Sequence, residues 1–131
     1  MKKILVIEDD CRVAAALTAR LRTAGYEVFS APDPGHATIV AAMQSPDLIV
    51  TDIWMPVMQG LTFVRRLGSL GLGRPPVIFM TASRADGLWE SAMEMGAAAY
   101  FEKPYDPQRL LAAISEALAH RTSGPAQTVT P

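Results

Sequence analysis

Cysteine is almost missing from this chain. The single Cys11 has no partner for an intramolecular disulfide and leaves no thiolate cluster for zinc, which agrees with a reducing compartment. Although it sits beside an acidic run, Cys11 reads as a small, inert residue at a helix start rather than a redox sensor. Net charge is equally scarce: 12 Lys and Arg against 13 Asp and Glu leave −1, no electrostatic footprint for nucleic acid, so direct DNA binding is not expected. No uninterrupted apolar stretch approaches the roughly 20 residues that span a bilayer, and Met1-Lys2-Lys3 leads straight into an apolar run with no cleavable signal pattern. The cytoplasm is therefore the expected compartment, with Met1 a natural N-terminus. Internal repeats are absent too. At 131 residues the chain can bury one continuous core, and a second folded domain does not fit.

What is present is organised around acids at the ends of short apolar runs. Ile4 to Ile7 runs into Glu8-Asp9-Asp10, and Leu48 to Thr51 runs into Asp52. Runs this short and rich in β-branched residues read as strands buried on both faces of a parallel sheet. Open sheets of that kind bind ligands beyond the carboxyl ends of their strands. Carboxylates brought there by neighbouring strands repel unless a cation or a proton offsets them, and the acids ask for a metal ion.

Between and after these runs the pattern alternates. Asp10 is a good N-cap for a helix from about 10 to 24, in which Val13, Leu17 and Leu21 recur until Gly25. Tyr26 to Ser30 is a short β-prone piece, and Asp33 begins a second helix, with Ala37, Val40, Ala41 and Met43 as its apolar set, closed before Pro46. Residues 52–60 read as loop, Leu61, Val64 and Leu67 mark a third helix, and Pro76 to Thr81 is another buried strand. A helix from about 86 to 95 closes at Gly96, Ala98 to Glu102 is the fifth strand, and Pro107 opens a last helix with Leu110, Leu111, Ile114 and Leu118 as its stripe. The expected domain is 1–121, with 122–131 a disordered tail or the start of a linker. Strands alternating with helices imply an α/β fold: a five-stranded parallel sheet in the order 2-1-3-4-5, doubly wound and flavodoxin-like, with three α/β/α layers. That order puts Asp9 and Asp52 together, with Thr81 and Lys103 at the ends of the next two strands.

Two carboxyls, a hydroxyl and an ammonium at one end of a sheet suit attack of an aspartate on phosphorus, with a hard cation to offset charge. The motifs are Ile-Leu-Val-Ile-Glu8-Asp9-Asp10, Asp52-Ile-Trp-Met55-Pro56-Val-Met-Gln-Gly60, Thr81-Ala82 and Tyr100-Phe-Glu-Lys103-Pro104. Over about residues 2 to 121 the chain thereby resembles a response-regulator receiver domain, the phospho-acceptor module of bacterial two-component signalling. The resemblance implies that Asp52 is the phosphorylated nucleophile, supplied by a phosphohistidine on a sensor histidine kinase or a histidine phosphotransfer protein. It implies Mg²⁺, with Mn²⁺ as a substitute, held by Asp9, Asp52 and the backbone carbonyl of Trp54, and by Glu8 through water. Thr81 would hydrogen-bond the phosphoryl group and Lys103 would pair with it, its approach fixed by a cis bond to Pro104. Asp10 is left to cap the first helix.

The resemblance also implies a switch rather than an ordinary enzyme: the domain catalyses its own phosphorylation and a slow dephosphorylation. Thr81 and Tyr100 would move together and change a face built from the fourth helix, fifth strand and fifth helix, where an output protein or effector domain docks. On the fourth helix Leu88, Ala92 and Met95 make the inward stripe, and Trp89 and Met93 lie on a neighbouring face as a partner surface. Gln59 stands where many members carry Asp, and the stretch 96–100 lacks an acid often found there. Trp54 and Ser83 flank the site where water reaches the acyl phosphate, and a bulky indole there predicts slow phosphate loss. The face lacks alternating charges for a salt-bridged dimer, so a monomer is expected before phosphorylation. A degenerate receiver serving as a constitutive binding module is the alternative, and it usually loses an acid, the Thr or the Lys. A haloacid-dehalogenase-type hydrolase typically needs a second Asp two residues after the nucleophile, where Trp54 stands. Whether the chain works alone or as part of a longer regulator stays open.

Overall fold

A computed structural model describes residues 1–52, 63, 65–81, 94 and 96–120. Five strands, β1 (Lys3–Ile7), β2 (Glu27–Ala31), β3 (Leu48–Asp52), β4 (Val77–Thr81) and β5 (Ala99–Glu102), form one sheet in the order β2-β1-β3-β4-β5. All neighbouring pairs are parallel. This is the flavodoxin-like arrangement expected from the alternation of elements, since right-handed crossovers put successive helices on the two faces. The described helices are α1 (Cys11–Thr23), α2 (Pro34–Gln44) and a C-terminal helix (Pro107–His120), and residues 65–69 are also helical.

Both faces of the sheet are buried, and strand alternation splits the core in two. Leu5, Ile7, Ile49, Val77, Phe79 and Tyr100 pack with Ala37 and Ala41 of α2 and with Phe63 and Leu67. Ile4, Val6, Val28, Leu48, Val50, Ile78 and Met80 pack with Leu17 and Leu21 of α1 and with Leu110 and Ile114 of the C-terminal helix. Every residue of β3 and β4 is buried, as central strands of a doubly covered sheet must be.

The helix ends follow the expected chemistry. Asp10 caps α1, its side chain accepting from the N–H groups of Arg12 and Val13 at 2.9 and 3.3 Å. Asp33 caps α2 through the N–H of His36 at 2.8 Å, and Pro34 occupies the first turn, where its missing N–H costs nothing. Past α1 the chain reverses at Gly25, whose φ of 100° suits glycine.

Several details differ from the sequence reading. β2 begins at Glu27 and β5 at Ala99, each one residue later than expected; β4 begins at Val77, because Pro76 can only accept, its carbonyl taking the Ile49 N–H at 2.9 Å. Asp52 is the last residue of β3 rather than the first of a loop. In α2 the buried pair Ala37 and Ala41 sets the inward direction, and Met43, two positions further, is turned to solvent with 75% of its surface exposed. In α1 the core position is Ala14, with Val13 only half-buried. The expected loop after Asp52, including Trp54, Pro56, Gln59 and Gly60, lies outside the described residues. So do Leu61 and Val64 of the third helix, Ser83, the fourth helix with Leu88, Trp89, Ala92, Met93 and Met95, and the tail 122–131.

Candidate functional site

Because the strands are parallel, their carboxyl ends share one edge of the sheet, and chemistry placed just past each end converges there. β1 ends at Ile7, so Glu8 and Asp9 emerge first. Register pairs Ile7 with Thr51 and Asp52 with Met80, which places Asp52 one step beyond the end of β1 on the neighbouring strand. Thr81 closes β4, and Lys103 follows Glu102, the last residue of β5, with its N–H donating to the Thr81 carbonyl at 2.7 Å. Four of the residues singled out from sequence are brought together: Glu8, Asp9, Asp52 and Lys103.

The ammonium of Lys103 is the hub. Its Nζ donates to Asp52 Oδ2 at 2.9 Å and to Glu8 Oε1 at 3.1 Å. The two carboxylates are buried while the Lys103 side chain keeps about a quarter of its surface, at 23%. Glu8 is held further by the backbone: its N–H donates to the Ala31 carbonyl at 3.0 Å, and its Oε2 accepts the Asp10 N–H at 3.1 Å. The bond between Lys103 and Pro104 is cis.

Among the described residues three acids gather near the Lys103 ammonium, and the ionisation of Glu8 and Lys103 responds. Burial, followed by a hydrogen bond with Asp52, pushes Glu8 up to about 7, although the Asp10 N–H and Lys103 pull it the other way. Burial alone would lower Lys103, but its hydrogen bonds to Asp52 and Glu8 outweigh that and leave it above the ordinary lysine value.

The donor set fits a hard divalent cation. Glu8, Asp9 and Asp52 each offer a carboxylate oxygen, all within 4.8 Å of one another, and oxygen-only donors suit Mg²⁺ or Mn²⁺. Asp9 is the exposed member, open to solvent, and Glu8 is 6% exposed. Glu8, expected as the outer ligand through water, is a buried carboxylate bonded to Lys103. No local pattern carries that contact, which spans 95 positions of chain. Trp54, expected to lend its carbonyl, lies outside the described residues.

With this geometry in hand, residues 4–115 match the family model for the response regulator receiver domain. The chain belongs to that family. Among relatives, a probable transcriptional regulator ycf27 of Cyanophora paradoxa is 34% identical across 98% of this chain and 53% of its own length. The phosphate regulon transcriptional regulatory protein PhoB of Pseudomonas aeruginosa is 31% identical across 99% of this chain and 56% of its own. The receiver thus spans about half the length of the curated relatives it matches. Among solved structures, the chemotaxis protein CheY4 of Vibrio cholerae superposes with a TM-score of 0.80 at 28% identity, covering 89% of this chain and 98% of that one. A CheY-like receiver domain protein from Methanospirillum hungatei JF-1 gives 0.82 at 28% identity, covering 94% and 98%.

In two-component systems receivers are signalling switches. Tyr100 pairs with Phe79, and Thr81 lies two residues beyond Phe79, so strand alternation sets Thr81 and Tyr100 toward the same face. Both are buried, Tyr100 within the core cluster that includes Phe79 and Ala97. No helix among the described residues is long and apolar enough to cross a membrane.

Proposed function

We propose that this receiver accepts a phosphoryl group on Asp52 from a phosphohistidine of a partner sensor histidine kinase or histidine phosphotransfer protein, in a reaction that depends on Mg²⁺. The observation that carries this is Asp52 itself, a buried carboxylate at a strand end, held by Lys103 at 2.9 Å and clustered with Glu8 and Asp9. A carboxylate oxygen of Asp52 forms the new P–O bond, the P–N bond of the donor breaks, and the departing imidazole takes up a proton from its surroundings. Asp9 and Asp52 would hold the cation directly and Glu8 through water, and the cation would offset the charge of carboxylate and phosphoryl group. Lys103 supplies a fixed positive charge on one side of Asp52, ready to pair with a phosphoryl oxygen, and the Thr81 hydroxyl hydrogen-bonds another. Trp54, outside the described residues, would lend its carbonyl to the cation.

The bound phosphoryl group then favours the state in which Thr81 is drawn toward it and Tyr100 is turned inward, changing the face of the fourth helix, β5 and the C-terminal helix that an output partner reads. The domain is a monomer before phosphorylation, and residues 122–131 serve as a tail or linker. The cytoplasm is the compartment that suits such an exchange. The alternative of a constitutive binding module finds no support, since the acids and the lysine are all present and Glu8, Asp9, Asp52 and Lys103 converge.

The test is to incubate the chain with Mg²⁺ and a small acyl-phosphate donor and read its intact mass. A gain of one phosphoryl group, absent with a chelator and absent in Asp52→Asn, is the expected result. No gain with either the small donor or a phosphorylated kinase would overturn the proposal.

A further inference from the structure

At the opposite side of the sheet from β5, strand β2 has β1 as its neighbour on one side and, among the described residues, no strand on the other. The backbone bonds from Glu27 N–H to the Lys2 carbonyl and from Glu8 N–H to the Ala31 carbonyl show which residues face inward. In a parallel ladder the inward residues alternate, so Glu27, Phe29 and Ala31 bond to β1, while Val28 and Ser30 direct their N–H and C=O groups outward. An outward row of this kind is a template for strand addition. An open groove of about 390 Å³ runs along it, lined among others by Phe29, Val40 and Met43. The adjoining face of α2 is uncharged, with Ile39 at 60% and Met43 at 75% exposure. Arg22, from the last turn of α1, reaches across this edge and donates from Nη2 to the Val28 carbonyl at 3.0 Å.

We propose that Arg22 acts as a gatekeeper, closing the β2 edge to antiparallel strand addition by a second copy of this chain.

The occupant follows from the strand itself. β2 reads Glu27-Val-Phe-Ser-Ala31, with its single charge at the first position. Parallel self-pairing would set Glu27 against Glu27, which is unfavourable, whereas an antiparallel two-fold pairing puts the two acids at opposite ends. Centred on Phe29, that register brings the outward groups of Val28 against those of Ser30 in the second copy, an exchange of two N–H···O bonds on each side. It sets Phe29 against its own symmetry mate and brings the exposed Ile39 and Met43 of the two α2 helices toward the shared groove. With Arg22 in place, the Val28 carbonyl is already satisfied and a guanidinium occupies the approach, so pairing must first break a charge-assisted bond.

Arg22 is exposed and outside both core clusters, so Arg22→Ala keeps the fold. Sedimentation equilibrium of the full chain reads the self-association constant, and hydrogen exchange reads the amides. In Arg22→Ala, self-association tightens roughly tenfold or more, the scale of losing one hydrogen bond to a charged donor. The Val28 and Ser30 amides gain protection in the associated form. Association unchanged from the parent chain overturns the proposal. Association without protection at Val28 and Ser30 overturns it equally, since another surface would then be responsible.

Discussion

Lys103 is the residue on which the charge balance of the site turns. It meets two buried carboxylates at once, at 2.9 and 3.1 Å, so its removal takes that positive charge from both Asp52 and Glu8. Lys103→Met is expected to slow phosphate uptake at Asp52 on the order of 10²-fold, the size of effect seen when one charge-stabilising donor is lost from a reacting centre. The time course of the phosphorylated fraction with a small acyl-phosphate donor measures this, and an unchanged rate contradicts it. Trp54 bears on the opposite step. If the indole shields the acyl phosphate from water, Trp54→Asn speeds phosphate loss from the phosphorylated chain; an unchanged or slower decay refutes shielding. At this scale much of the site was legible: Asp9, Asp52, Thr81 and Lys103 are marked by lying at strand ends, a position that follows from short apolar runs. The burial of Glu8 was not legible. It depends on Ala31 and Lys103, partners that only the folded sheet brings to it.

Among the elements, α2 offers the clearest pH test. Its cap, Asp33, accepts the His36 N–H at 2.8 Å and meets the His36 ring at 2.7 Å. That N–H, then the ring, hold the Asp33 carboxyl below the usual aspartate value. A depressed folded value means the cap's contribution is present above the pH at which an unfolded aspartate titrates, about 4, and is lost as pH falls through the folded value. Asn caps without a charge, so the thermal midpoint of the parent chain should exceed that of Asp33→Asn near neutral pH, and the gap should close in acid. A gap that does not change with pH contradicts the assignment. The Asp10 cap could be read from sequence because an Asp just before an apolar repeat suits that role, whereas Asp33 was read only as the start of its helix. Each of the five strands had an end off by one residue, since sheet pairing rather than propensity decides where a ladder starts and stops. Met43 was misread because four apolar residues span more than one helix face, and only packing against Ala37 and Ala41 selects the buried one.

At the scale of the whole molecule, strand order does the work that no single element can. Five parallel strands in the order β2-β1-β3-β4-β5 set β1 beside β3 and thereby bring residues more than 40 positions apart into one acid cluster. The order was legible because strands alternating with helices leave few right-handed solutions. The guarded edge at β2 was not, since Arg22 looks like any surface arginine until the carbonyl it covers is known. The central claim is that this architecture makes Asp52, among three clustered acids, the one that carries the phosphoryl group. Borohydride reduces an acyl phosphate to an alcohol and so leaves a permanent mark on the acid that bore it. The most direct measurement is peptide mass spectrometry of the chain after treatment with Mg²⁺ and a small acyl-phosphate donor, then borohydride. The account predicts the mark at Asp52 and nowhere else; a mark at Glu8 or Asp9, or none at all, would contradict it.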